Sequence, residues 1–427
     1  MTVESVFKFI QGIIKIRGAT DNTLIGNSSD RLRVESSFED HLATSFGRLR
    51  VANSYTAFES TFNYDKQSLV WDESLVTGGT NTWNTNRNSL DLVTTTTSGS
   101  SAIVQSRRRI KYNPARSVIV QISSNLGGAK ASCRRRLGQF DANNGVFFEL
   151  DGVTLKTVIR SNVSGSIVNT SVDQSSWNGD KLDGTGPSGI NLDLTKHQLW
   201  IIEYGWQGIA TVRFGLYVNG KVIYCHTVYS SNISDNPYMK TANLPLRVEN
   251  TNTATTASST TLSVNCFCVK HEGGDEDREG LTRSFTRPSL KTVSALPTYT
   301  PVISLRLNSS RIDSIVDLVK TSVFAQTADN VIWKIVLNAS LTGATYSDSI
   351  GYLNIDTAAT AMSGGTDILS GIINQNQDSG IETSELLKQL NTLLGASISG
   401  TSDVITIAAS SRTTSADVLA SITWREY

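Results

Sequence analysis

The stretch Val212-Arg-Phe-Gly-Leu-Tyr-Val218, Asn219-Gly220, Lys221-Val-Ile-Tyr-Cys225 constrains the fold of this chain more than any other. Asn-Gly suits the two positive-φ positions of a type I′ turn, and alternation of apolar and polar residues on both sides is the period of a half-buried strand. A β-hairpin is predicted there. The segment Glu149-Leu-Asp-Gly-Val-Thr-Leu155 repeats the logic, with Asp151-Gly152 between two apolar runs. Further strand-like runs are Ala102-Ile-Val-Gln105, Ser117-Val-Ile-Val-Gln-Ile122 and Gly145-Val-Phe-Phe-Glu-Leu150, separated by Asn, Asp and Gly. So many short strands across residues 61–274 predict a β-sandwich or jelly roll.

Composition agrees. Of 427 residues, 39% are apolar and 18% charged. Ser, Thr, Asn and Gly fill the difference, residues of turns and strands rather than of charged helices. The 38 basic and 38 acidic residues cancel, so nucleic acid is not an expected partner, because phosphate contacts call for net positive charge. Near-neutrality instead suits a subunit that associates with copies of itself. Four cysteines are too few for a disulfide framework. Cys266 and Cys268 share a strand face and read as buried thiols of a chain folded in a reducing cytoplasm. Val6 to Ile16, interrupted by Lys8, Gln11, Gly12 and Lys15, is too short and polar to span a bilayer, and no signal-peptide pattern follows. No membrane partner and no export signal are expected.

Residues 1–60 read as an extended docking arm. They carry Asp30-Arg-Leu-Arg-Val34 and Gly47-Arg-Leu-Arg-Val51 amid little core material. The segments either dock on a neighbouring subunit through Arg31, Arg33, Arg48 and Arg50 or form edge strands of the next domain. His271-Glu-Gly-Gly-Asp-Glu-Asp-Arg-Glu-Gly280 opens a linker over 275–297. Residues 298–427 predict a small α+β domain, with strands at Val302–Leu307 and Val331–Leu337 and helical spacing at Ile312–Val319 and Glu385–Leu394.

Glu149 and Asp151 lie on one face of a strand, as in a retaining glycosidase, but a turn replaces the next acid and itself explains Asp151. Asp180-Lys-Leu-Asp-Gly-Thr-Gly186 lacks the ligand spacing of a calcium loop. Cys266, Cys268 and His271 lack a fourth zinc ligand nearby. No Gly-x-Ser-x-Gly or phosphate-binding loop occurs. Catalytic residues, metal and cofactor are therefore all expected to be absent. Arg107-Arg-Arg109 and Arg134-Arg-Arg136 read either as subunit contacts or as solvated strand residues. Of Trp83, Trp177, Trp206 and Tyr238, Trp177 is the candidate to stack on a sugar, unless it anchors its Gly-rich loop to the core.

The runs Phe46-Gly-Arg-Leu-Arg-Val51, Asn144-Gly-Val-Phe-Phe-Glu149 and Trp177-Asn-Gly-Asp-Lys-Leu-Asp-Gly-Thr-Gly-Pro-Ser-Gly189 resemble a family of tailed-bacteriophage virion structural proteins. Leu192-Asp-Leu-Thr-Lys-His-Gln-Leu199, Val212-Arg-Phe-Gly215, Asn243-Leu-Pro-Leu-Arg-Val-Glu249 and Arg17-Gly-Ala-Thr-Asp-Asn-Thr-Leu-Ile-Gly-Asn27 extend the resemblance over about residues 17–275. It implies a non-enzymatic subunit located in the virion, at head, collar or tail. Its expected partners are itself, as a homotrimer, and other virion proteins. The alternative is a carbohydrate-binding adhesin for a host-surface glycan, and a glycan-degrading enzyme comes third.

Overall fold

The computed structural model describes residues 42–273, 280–327, 330–378, 381–382 and 394–427. Arg31, Arg33, the first repeat of the arm, the acidic run 275–279 and nearly all of the helical spacing at Glu385–Leu394 lie outside the described residues.

Fifteen strands build the first part: β1 (Ser54–Thr61), β2 (Trp71–Val76), β3 (Thr80–Asn84), β4 (Ser89–Thr94), β5 (Ser101–Ser106), β6 (Val118–Asn125), β7 (Cys133–Phe140), β8 (Gly145–Asp151), β9 (Thr154–Ser161), β10 (Val168–Asp173), β11 (Gln198–Tyr204), β12 (Val212–Val218), β13 (Lys221–Val228), β14 (Leu246–Asn252) and β15 (Thr260–Glu272). They form two antiparallel sheets. One runs β13-β12-β11-β6-β15-β4-β3, with β1 also paired to β15, and the other runs β10-β9-β8-β7-β14-β5-β2. The predicted sandwich is observed. Its first strand, β1, belongs to the region read as arm, because residues 54–61 pair along β15.

The core lies between the sheets. Strand β6 alternates buried and half-buried residues along its whole length, the pattern of a strand with one face inward. Phe148 sits at the centre, its ring 4.9 Å from Trp200, 5.3 Å from Phe214 and 6.4 Å from Trp177. Truncating such a residue to alanine costs about 3–5 kcal/mol. Asn219 and Gly220 take φ of 51° and 85° and join β12 to β13 as expected. The β8–β9 turn falls one residue later than its Asp-Gly signal, with Asp151 paired to Thr154 across Gly152 and Val153.

A second β unit follows. β16 (Leu281–Thr286) and β17 (Lys291–Val293), inside the expected linker, both pair with the last strand, Ala416–Glu426. β18 (Thr300–Leu307), β19 (Val316–Ala325) and β20 (Asn330–Leu337) continue it around a core containing Trp333 and Trp424. The expected helix at Ile312–Val319 is corrected: a 3-10 turn at Ser309–Arg311 leads into β19, which pairs along Ala416–Glu426. Apolar residues three and four apart were read as one helix face, whereas the β-branched Val316, Val319 and Val323 extend into a strand. Among the described residues helix is limited to 3-10 turns, so the described part of the small domain is β.

Candidate functional site

Two surfaces concentrate polar chemistry, one on the outer face of each sandwich sheet. On the eight-stranded sheet a strap of residues 42–51 closes on itself. Thr44 N–H donates to the Arg48 carbonyl at 2.7 Å and Arg50 N–H to the Leu42 carbonyl at 2.9 Å, with Gly47 at φ +70° making the turn. The strap lies on its own sheet. A Cβ on Gly205 would stand 2.3 Å from the Phe46 ring, so that ring rests on a glycine. Ser45 and Ser117 hydroxyls are 2.8 Å apart, and Ser117 Oγ donates to Glu203 Oε1 at 2.7 Å.

Glu203 is the anchor. Its carboxylate, wholly buried, pairs with Arg213 at 2.8 Å and with Arg50, and accepts from the Tyr224 hydroxyl. Arg50 also reaches Glu272 at 2.5 Å. Burial alone would raise the Glu203 pKa, but Arg213 and Arg50, with the Tyr224 and Ser117 hydrogen bonds, outweigh it and hold the group below the usual carboxylate range. The expected alternation of the Gly47–Val51 segment is inverted: Leu49 and Val51 face solvent while Arg50 points to the sheet. The buried Glu203 carboxylate decides the outcome, since an unpaired buried charge costs more than two exposed aliphatic side chains.

Between the strap and the β11–β12 loop opens a groove of about 790 Å³. Thr44, Ser45 and Thr211 bring hydroxyls to its wall, Gln207 an amide and Arg213 a guanidinium. Tyr229, at the end of β13, stands in its rim and is 62% exposed. A smaller, mostly apolar cavity of about 280 Å³, lined by Ile159, Val172, Phe214 and Ile233, shares Thr227 and Tyr229 with it.

The outer face of the seven-stranded sheet is built by register. Asp173 stands opposite Lys156, Lys156 opposite Glu149, Glu149 opposite Arg136, and Arg136 opposite Glu249. Charge therefore alternates across five strands, the arrangement that favours cross-strand pairs. Arg136 donates to Glu149 at 2.5 Å and to Glu249 at 3.2 Å, and Arg247 donates to Glu249 at 2.6 Å. In the next rows Phe147 and Phe140 stack at 4.4 Å under Arg136, Arg160 and Arg247. Phe147 leans over Gly138, where a Cβ would meet it at 2.7 Å. Burial would raise the Glu249 pKa, yet Arg247, Arg136 and Arg160 together hold it below the usual range.

The residues expected to act divide clearly. Arg107 bridges Asp72 at 3.0 Å and Asp403 at 3.1 Å. Arg108 donates to the Ala57 carbonyl and stacks on Phe58. Arg109 pairs with Asp141 at 2.7 Å. Arg50 is drawn into the strap anchor, and Arg48 is exposed. Where described, the arginines expected to contact neighbours are, apart from Arg48, engaged within the chain. Trp177 is corrected as a glycan platform. It is 2% exposed, packs on Phe148 and donates to the Val172 carbonyl, so it anchors its loop and offers no ring face. Glu149 and Asp151 do share an outward face, but Asp151 accepts from Lys156 at 3.2 Å while Glu149 pairs with Arg136, which also donates to Glu249 from the far strand β14. Asp180 accepts from its own loop, at Leu182 and Ser188. Among the described residues no group of three His, Cys, Asp or Glu could hold a metal. Tyr229 was missed, since Val228-Tyr-Ser-Ser-Asn232 carries no mark distinguishing an exposed ring from a buried one.

No protein-family model and no curated protein matches the sequence. Its fold is similar to that of solved structures. One is reported with endo-acting O-glycanases of human gut microbiota that initiate mucin breakdown (11% identity, TM-score 0.36, covering 50% of this chain and 98% of that one). Another is a glycosyl hydrolase family 16 protein of Mycobacterium smegmatis (14%, 0.33, 50% and 100%). A third is the Bacillus licheniformis β-glucanase (12%, 0.32, 51% and 98%). These findings correct two expectations. The chain was read as a virion structural subunit and as a non-enzyme, whereas the structures it is similar to are glycoside hydrolases, and neither reading is retained.

Proposed function

We propose that the chain recognises a carbohydrate in the groove beside Tyr229. The observation that carries this reading is the Tyr229 ring, 62% exposed on the rim of a groove of about 790 Å³ whose walls mix hydroxyl, amide and guanidinium groups with apolar surface. An aromatic face matches the C–H side of a sugar ring, and convergent polar groups match its hydroxyls. Glycan-array screening of the full chain, followed by calorimetry on the best saccharide, tests it. Tyr229→Ala, at an exposed position, should weaken binding at least about tenfold without lowering Tm, the loss of roughly 1.4 kcal/mol that one stacked ring supplies. Unchanged affinity in that variant, or no saccharide bound, would sink the reading.

Glycan hydrolysis has one observation in its favour, the approach of Glu149 and Glu249 to the same guanidinium. A retaining mechanism requires two carboxylates on either side of the scissile bond, one of them a proton donor. Arginine pairing supports the ionised form of Glu249 instead. Release of reducing ends from β-glucan, lost in Glu149→Gln, would establish turnover; its absence leaves recognition alone.

A further inference from the structure

We infer that the Arg160 corner of the seven-stranded sheet's outer face binds an oxyanion, the sulfate, phosphate or carboxylate group of a ligand. Arg160 projects from β9 and is 7% exposed. Its Nε donates to Asn169 Oδ1 at 3.0 Å and its Nη1 to the Asp141 carbonyl at 2.9 Å, both neutral acceptors. The nearby acids are already engaged. Asp141 pairs with Arg109 and caps the amides of Asn143 and Asn144. Glu149 is held by Arg136, and Glu249 by Arg136 and Arg247. Three guanidiniums thus face two carboxylates, and among the described residues no salt bridge reaches Arg160.

A cation so enclosed, hydrogen-bonded only to neutral acceptors and with Glu249 felt without contact, is costly to maintain. The cost shows in its acidity: burial and the adjacent Arg136 lower its pKa to about 10. Phe140 and Phe147, with ring centres at 5.7 and 5.1 Å, offer π-faces but no counter-charge. Nη2 makes no hydrogen bond among the described residues, yet it is not among the fully buried unpaired atoms, so this edge of the fork remains open. The exposed strand β10, which carries Asn169, borders that edge. An oxyanion there would take the free N–H groups in the geometry that guanidinium favours. The site lies on the opposite sheet from the Tyr229 groove, so each can fail alone.

Thermal melts of the full chain in sulfate and in chloride at equal ionic strength test it. Sulfate stabilises any fold by exclusion from its surface, so the readout is the difference between wild type and variants. Wild type should gain about 3 °C or more beyond each variant at saturating sulfate. Arg160→Gln should abolish the excess. Asn169→Asp, at an exposed position, brings a carboxylate to the guanidinium; it should raise Tm without added anion and also abolish the excess. Methyl glucuronide compared with methyl glucoside separates an acidic saccharide from a free anion: a glucuronide-specific shift places the anion on a sugar, and a sulfate shift alone leaves it inorganic. Equal sulfate shifts in wild type and both variants overturn the proposal.

Discussion

Glu203 is a carboxylate whose neighbours outweigh its burial. Because its folded pKa lies below the ordinary value of 4.5, its ion pairs stabilise the fold fully above that pH and are lost as pH falls through the folded value. Glu249 works in the same direction. Tm should therefore hold level from pH 7 to about 5 and drop below about 4.5, and Glu203→Gln should flatten part of that drop. A melt profile independent of the residue at 203 would refute this assignment. Arg213→Ala removes one guanidinium from the Glu203 carboxylate while Arg50 stays paired with it, and should cost about 3 kcal/mol in denaturant titration. At this scale the sequence was least informative. Its Gly- and Asp-rich loop left Trp177 open to two readings, a sugar platform or a core anchor, and the loop folds the ring back onto Phe148. A residue's type states what it prefers to touch; which face it takes is settled by neighbours far along the chain.

Strands and turns were more legible than side chains. Asn219-Gly220 specifies its own hairpin, because the positive φ it requires is a property of two adjacent residues. The strap shows the opposite case. Arg50 finds Glu203 and Glu272, separated from it by 153 and 222 residues, and no periodicity within Gly47–Val51 reveals them. Arg50→Ala should release the strap while the sandwich stays folded: limited proteolysis would cut within residues 42–51 at least about tenfold faster, as local opening costs less free energy. Equal cleavage rates would show that Phe46 on Gly205 suffices to hold it. Ile312–Val319 failed for a related reason, since a short apolar run fits either period and pairing with Ala416–Glu426 decides between them.

Across the whole molecule two β cores meet at a small polar junction. Arg107 bridges Asp72 of the sandwich and Asp403 of the second unit, Ile398 N–H donates to Asp72 at 2.8 Å, and Ala396 N–H donates to the Arg107 carbonyl at 2.9 Å. Asp403 is nearly buried, so the junction depends on its cation. Arg107→Ala should uncouple the cores and split the calorimetric unfolding into two transitions, the lower displaced by several degrees. A single unshifted transition would mean that backbone contacts alone couple them. The sandwich was foreseeable from its spaced turns. The strands of the second unit within the expected linker and at Ile312–Val319 were not, because its sheets are closed by long-range pairs such as β16 and β17 on the last strand.

The alternating charges on the outer face of the seven-stranded sheet also guard against misassembly. Sliding a strand by one residue would turn its charged side chains into the core. The smallest shift that keeps the faces is two residues. Moved one way along β7, Glu149 would meet Gly138; moved the other way, Phe147 would leave Gly138 and confront Arg136. The first error leaves Glu149 without its guanidinium, and the second, although it brings Glu149 to Arg134, lifts the Phe147 ring off the recess at Gly138. The row therefore proofreads the sheet, penalising near-miss pairings that an all-Thr or all-Ser surface would tolerate.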